Sequence, residues 1–226
     1  MKNLAIILVA VAVVVVVMAA PAHAVLLFEE TFDGTVGANV ETTGNWVETS
    51  GETMTITDVV IDDGNSADGD PGGAWTNHVN STLINHTLAA NEPGFRYTWT
   101  NADHDGDGIY AALYGRPTGS GQVWYVQYQP SGLDFNGPSG ALIYEEPIQA
   151  NSKFRVETSV AGGTSLWVNG VHKFTDPSFG FDHVDHIAIT NEGMYWDSIK
   201  LEIIPEPSTM GLLAIGGMLT MLRRRR

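Results

Sequence analysis

Val160-Ala161-Gly162-Gly163-Thr164-Ser165-Leu166-Trp167-Val168-Asn169-Gly170-Val171 decides the fold class of this chain. The glycine pair makes a turn, Thr164 to Val168 read as a strand, and Asn169-Gly170 makes a second turn. Asn-Gly tolerates positive φ at both central positions of a two-residue loop, so it favours tight hairpins. Strand, turn, strand, turn in so short a space is antiparallel β-structure, and nothing in it follows a helical period.

The same rhythm extends outward in both directions. Apolar-polar alternation predicts strands at Leu26 to Phe32, Thr53 to Ile61, Gly94 to Thr100, Ile109 to Tyr114 and Gln122 to Gln129. More follow at Ala141 to Tyr144, Lys153 to Val160, Ser165 to Val168, His172 to Phe174, His186 to Thr190 and Tyr195 to Ile203. Gly, Asn, Asp, Pro and Ser fill the gaps. Many short strands with turn chemistry between them point to an all-β antiparallel sandwich. The chain has no cysteine, so disulfides play no part. A domain of this length buries about 70% of its unfolded surface and can stand without them.

The two ends differ from this body. Lys2 is followed by an apolar run from Leu4 to Ala20 and then Pro21-Ala22-His23-Ala24, a signal-peptide pattern over residues 1–24 with cleavage after Ala24. Small side chains at Ala22 and Ala24 suit the peptidase; an uncleaved membrane anchor is the alternative. At the other end Pro205-Glu206-Pro207-Ser208-Thr209 precedes an apolar stretch, 210–222, and four arginines, 223–226. The prolines keep the motif extended, the apolar stretch reads as a short hydrophobic helix associated with membrane transiently or permanently, and the arginines stay cytoplasmic.

The β-sandwich domain is therefore residues 25–204. It carries 25 acidic residues against six basic ones, Arg96, Arg116, Lys153, Arg155, Lys173 and Lys200, a net charge of −19. That balance argues against nucleic acid and anionic lipid as partners.

The tripartite tail resembles the PEP-CTERM sorting signal of Gram-negative bacteria. That resemblance implies export across the inner membrane, processing by an exosortase, a transpeptidase-like membrane enzyme, and a host that makes exopolysaccharide. The body resembles the concanavalin A-like, laminin G-like jelly rolls in three places: the opening strand with Phe32-Asp33, the Leu166 to Gly170 hairpin, and the closing strand of Tyr195 to Ile199. The resemblance implies that first and last strands lie side by side.

Several segments invite chemistry. Asp103, Asp105 and Asp107, at every second position of a Gly-rich turn, are the candidate ligands for structural calcium. The loop is no EF-hand, because Tyr114 stands where the bidentate Glu is required; a solvated Asp-Gly turn is the alternative. A second acidic loop, 62–73, has the same ambiguity. In Asp182-His183-Val184-Asp185-His186, a strand puts His183 and Asp185 on one face and His186 on the other, which is no three-ligand metal site. Of the six tryptophans, Trp99, Trp124, Trp167 and Trp196 fall inside strands and are expected in the core. Trp75, beside Asn77 and His78 in a glycine-rich loop, is expected to be the exposed platform, with Asn77 as its polar partner.

No catalytic motif stands out. Glu145 and Glu146 are adjacent and point to opposite faces of a strand, the wrong arrangement for a glycosidase pair, and the Glu-x-Asp-x-x-Glu strand motif of the related glucanases is absent. The expectation is a non-catalytic carbohydrate-binding, lectin-like module at the cell envelope or in the extracellular matrix, associated with polysaccharide. A structural matrix or biofilm protein without small ligand, or a divergent glycoside hydrolase, are the alternatives.

Overall fold

The computed structural model describes residues 24–48, 54–62, 65–69, 78–103, 111–116, 124–129, 132–137, 142–146, 151–190 and 194–204. Leu26–Ile204 forms one compact unit. Its strands are β1 (Val25–Glu30), β2 (Trp46–Glu48), β3 (Met54–Thr57), β4 (Ser66–Gly69), β5 (His78–Ser81), β6 (His86–Thr87) and β7 (Phe95–Asp103). They continue as β8 (Ala111–Arg116), β9 (Trp124–Gln129), β10 (Gly132–Asn136), β11 (Leu142–Glu146) and β12 (Asn151–Ser159). The chain closes with β13 (Gly163–Val168), β14 (Val171–Asp176), β15 (His183–Val184), β16 (His186–Thr190) and β17 (Met194–Ile203).

Two antiparallel sheets carry the fold. The larger has the order β14-β13-β12-β7-β17-β4-β3, with β1 paired to β17; the smaller is β11-β10-β9-β8-β16-β5-β2. First and last strands do lie side by side, so the closing of the jelly roll is as the resemblance implied. The quoted hairpin forms as read. Thr164 faces Asp176, Leu166 faces Phe174 and Val168 faces Val171 across it, while Asn169 (φ 51) and Gly170 (φ 77) take the positive φ that the tight turn needs.

Between the sheets lies an aromatic core. Tyr97 meets Trp124 edge-on at 4.9 Å, Trp99 stacks on Phe154 at 5.0 Å, and Phe135 meets Phe174 at 4.7 Å. Trp46, Trp99, Trp124 and Trp196 are all buried. The opening strand is pinned to this core by Glu30, 4% exposed. Its Oε1 accepts from the Phe32 N–H at 2.7 Å, and its Oε2 accepts from Thr43 Oγ1, Asn45 Nδ2 and Trp46 Nε1 at 2.8, 2.9 and 3.1 Å. The strand stops at Glu30 rather than Phe32 because that carboxylate pulls the next turn of backbone onto itself, with Phe32 at φ 54.

Three corrections follow. The acidic loop 62–73 contains a strand: Ser66 and Ala67 are fully buried, and Ala67 sits between Ile56 and Trp196. Cross-strand pairing overrides the poor β-propensity of Ser-Ala-Asp-Gly. Strands β2, β5 and β10 also arise where only turn composition was visible. Third, Trp167 is not in the core; it is half-buried on the outer face of the larger sheet, for a reason given below. The signal segment up to residue 23 with Ala22, the loop residues Asp105, Asp107, Trp75 and Asn77, and the hydrophobic tail with Pro205, Glu206 and Pro207 lie outside the described residues. Ala24 precedes β1, and Asp103 is the last residue of β7. Among the described residues no helix is long and apolar enough to cross a membrane.

Candidate functional site

Strand parity builds a groove on the outside of the larger sheet. In β13, Leu166 and Val168 are buried, so Trp167 between them must point outward. The same rule turns Lys153 and Arg155 of β12 outward around buried Phe154, and Thr98 of β7 outward between Tyr97 and Trp99. Pairing then lines these residues up. Trp167 stands opposite His172 on one side and Arg155 on the other; Arg155 faces Thr98, and Thr98 faces Lys200. Strands are spaced ~4.8 Å apart, so this five-strand row is about 19 Å long.

Lys200 reaches the row only because β17 carries a bulge. Its register with β7 shifts between Asp197 and Lys200, and Ser198 has φ 52. The extra residue reverses parity, placing Ile199, 1% exposed, in the core and Lys200 on the outer face. Without it their sides would exchange.

The resulting groove has a volume of about 650 Å³ and is lined by Thr98, Thr100, Lys153, Arg155, Trp167 and Lys200, with Asp62 at one end. The Arg155 guanidinium lies 4.1 Å from the centroid of the Trp167 ring, and His172 approaches the same ring at 5.1 Å. Asp62 takes a hydrogen bond from Thr100 Oγ1 at 3.1 Å and an ion pair from Lys153 Nζ. The bond from Lys153, aided by the one from Thr100 and opposed by partial burial, holds the Asp62 carboxyl below its ordinary value of 3.8. Lys200 pairs with Glu29 at 2.6 Å.

Charge is distributed unevenly over the domain. Arg96, Lys153, Arg155 and Lys200, four of its six strong bases, share this face. An acidic domain has concentrated its cations on one side of one sheet.

The outer face of the smaller sheet is polar in a different way. Asp134 stands opposite Gln127 on one neighbouring strand and Glu145 on the other. Asp134, Gln127 and Asn136 are buried, and Glu145 is exposed. Glu146 does point away from Glu145, accepting from Lys173 Nζ at 2.6 Å and Tyr144 OH at 3.1 Å. His183 and Asp185 share a face and bond at 2.8 Å, with His183 also contacting Thr87 at 2.6 Å; this pair ties β15 to β6.

Residues 204–226 match the PEP-CTERM protein-sorting motif. The tail thus marks the chain for export through the envelope of a Gram-negative bacterium and implies an exosortase as processing partner. No curated protein matches the chain in sequence. Among solved structures it is similar to the globular domain of T. cruzi calreticulin, at 9% identity and TM-score 0.54, covering 89% of this chain and 100% of that one. It is also similar to the receptor binding domain of botulinum neurotoxin D, at 11% identity and TM-score 0.53, covering 85% of this chain and 52% of that one. A sialidase matches at 9% identity and TM-score 0.52 over 80% of this chain, which spans only 18% of the sialidase. At such identities the likeness is one of fold, a jelly-roll β-sandwich.

Proposed function

We propose that the exported domain is a non-catalytic polysaccharide-binding module that holds glycan chains along the outer face of its larger sheet. The observation that carries this is the placement of Trp167, a half-buried indole in an open groove of about 650 Å³ among hydroxyl, ammonium, guanidinium and carboxylate groups. An aromatic body packs on the apolar face of a sugar ring while its polar neighbours hydrogen-bond the hydroxyls. A groove of this size with a few convergent polar groups is the usual form of a ligand site. The sorting motif, which implies export, supports the same reading, since extracellular polysaccharide lies beyond the inner membrane. Calcium at Asp103, Asp105 and Asp107 would stiffen the loop that holds them.

The test is a polysaccharide array probed with the secreted protein. Signal on a subset of glycans, weakened about tenfold or more by Trp167→Ala, is the expected result. A silent array leaves a structural matrix protein as the better description. A hydrolase is a second reading, favoured by one observation: Asp134 and Glu145 stand directly opposite each other on one sheet face, an arrangement that suits a carboxylate pair. Oligosaccharide release abolished by Asp134→Asn would establish it in place of simple binding.

A further inference from the structure

We infer that the groove takes an acidic saccharide, a glycan bearing carboxylates, and that Arg155 is the residue that binds the carboxylate; this rests on the glycan-binding reading above. Most cations on this face are already committed. Lys153 is paired with Asp62, Lys200 with Glu29 at 2.6 Å, and Arg96 Nε donates to Glu157 Oε1 at 2.8 Å. Arg155 is the least firmly held: its ion-pair partner, Glu157, makes no hydrogen bond to it. Its Nε is buried and has no hydrogen-bond partner among the described residues. Glu157 Oε1, already taken by Arg96, lies 3.7 Å away, beyond hydrogen-bond range.

With its Nε edge buried toward Glu157, the side chain, 39% exposed in the groove, leaves its terminal Nη groups for an anion. The guanidinium is planar and presents its donors as a fork that fits a carboxylate bidentately. Here the Trp167 ring, 4.1 Å from the guanidinium carbon, fixes the position of that fork. A sugar carboxylate meeting Arg155 would leave its ring beside Trp167 and the hydroxyls of Thr98 and Thr100 in the same groove.

The rest of the domain strengthens the choice. With a net charge of −19 over residues 25–204, most of the surface repels an acidic polymer, and the face where four of the six strong bases offset their neighbouring carboxylates repels it least. A nucleic acid needs several phosphates neutralised by uncommitted cations. One weakly held arginine suits a single carboxylate met at one sugar.

The experiment measures binding of the full exported protein to immobilised polygalacturonate and to its fully methyl-esterified form, which keeps the sugar backbone and removes the charge. The acid form should bind at least tenfold tighter, with affinity falling as salt rises. Arg155→Gln should weaken binding to the acid form by about tenfold to a hundredfold and binding to the ester by much less. Arg155→Lys should recover only part of the loss, because it restores charge without the fork, and Trp167→Ala should weaken both polymers. Equal binding to acid and ester, or an Arg155→Gln protein that binds the acid normally, overturns the inference while the glycan-binding reading survives. Duplex DNA bound ahead of polygalacturonate also overturns it. No binding to either polymer, together with a silent array, removes both.

Discussion

Replacing Glu30 by glutamine removes one charge and changes one atom, yet it should destabilise the whole sandwich. Oε2 of Glu30 accepts from Thr43, Asn45 and Trp46, and Oε1 accepts from the Phe32 N–H. A glutamine oxygen in the Oε2 position keeps the first three, but its amide then points donor-to-donor at Phe32, whose side chain is fully buried. Turning the amide over rescues Phe32 and loses the other three. In the better orientation one buried N–H is orphaned, about 1–3 kcal/mol, and the remaining bonds lose their charge assistance, so the total is about 3 kcal/mol. Glu30→Ala, with every donor abandoned, should cost about 5 kcal/mol, a large part of a typical domain's stability. Urea unfolding followed by tryptophan fluorescence reads this directly. With a slope near 2 kcal/mol per molar, the midpoint of the glutamine variant falls by about 1.5 M. A glutamine variant within about 0.5 kcal/mol of the parent would refute the claim that this carboxylate anchors β1.

Gly170→Ala should cost about 1–2 kcal/mol through its φ of 77 alone, since a Cβ there meets nothing within 4 Å. Gly163→Ala should be far worse, because at φ 72 its Cβ also runs into the backbone of Asp176 and Pro177; thermal melts of the two variants give the comparison, and equal losses would contradict it. Asp62 has its folded-state value depressed by Lys153, so its contribution is present in full above the ordinary 3.8 and is lost as pH falls through the lower folded value. Asp62→Asn should therefore lower stability at pH 7 slightly, by at most about 1 kcal/mol for a pair this exposed, and flatten the acid limb by the same amount; an unchanged acid limb would contradict the assignment. If Asp103, Asp105 and Asp107 hold calcium, adding it at a hundred times its dissociation constant adds about 2.7 kcal/mol. A melting temperature raised by about 5–10 °C, and reversed by chelator, is the expected result; no shift on chelation counts against the loop as a calcium site.

The hairpin from Gly163 to Asp176 was legible because turn chemistry and alternation agree there, and the pairing of β1 with β17 followed from the family likeness. Strand β4 was not legible. Ser66-Ala67-Asp68-Gly69 has loop composition and becomes a strand only because β3 and β17 offer pairing on both sides. Nor could a period-two reading anticipate the bulge at Ser198, which exchanges the faces of Ile199 and Lys200. The placement of Trp167 was available in principle. Leu166 and Val168 are the apolar neighbours of a strand whose next turn is Asn-Gly, so parity alone sends the indole to the opposite face. In a sheet with one solvated face, strand membership means burial only for alternate residues. The groove itself, with Arg155, Thr98 and Lys200 brought beside Trp167, depends on the register of five strands and has no local signature.

The most direct test of the proposed glycan-binding face is a residue-by-residue NMR titration of the exported protein with an oligogalacturonate. Shifts centred on the Trp167 indole N–H, the Arg155 Nε–H and the amides of Thr98, Lys153 and Lys200 are the predicted result. Shifts confined to residues around Trp75, or to the outer face of the smaller sheet around Asp134, would contradict it.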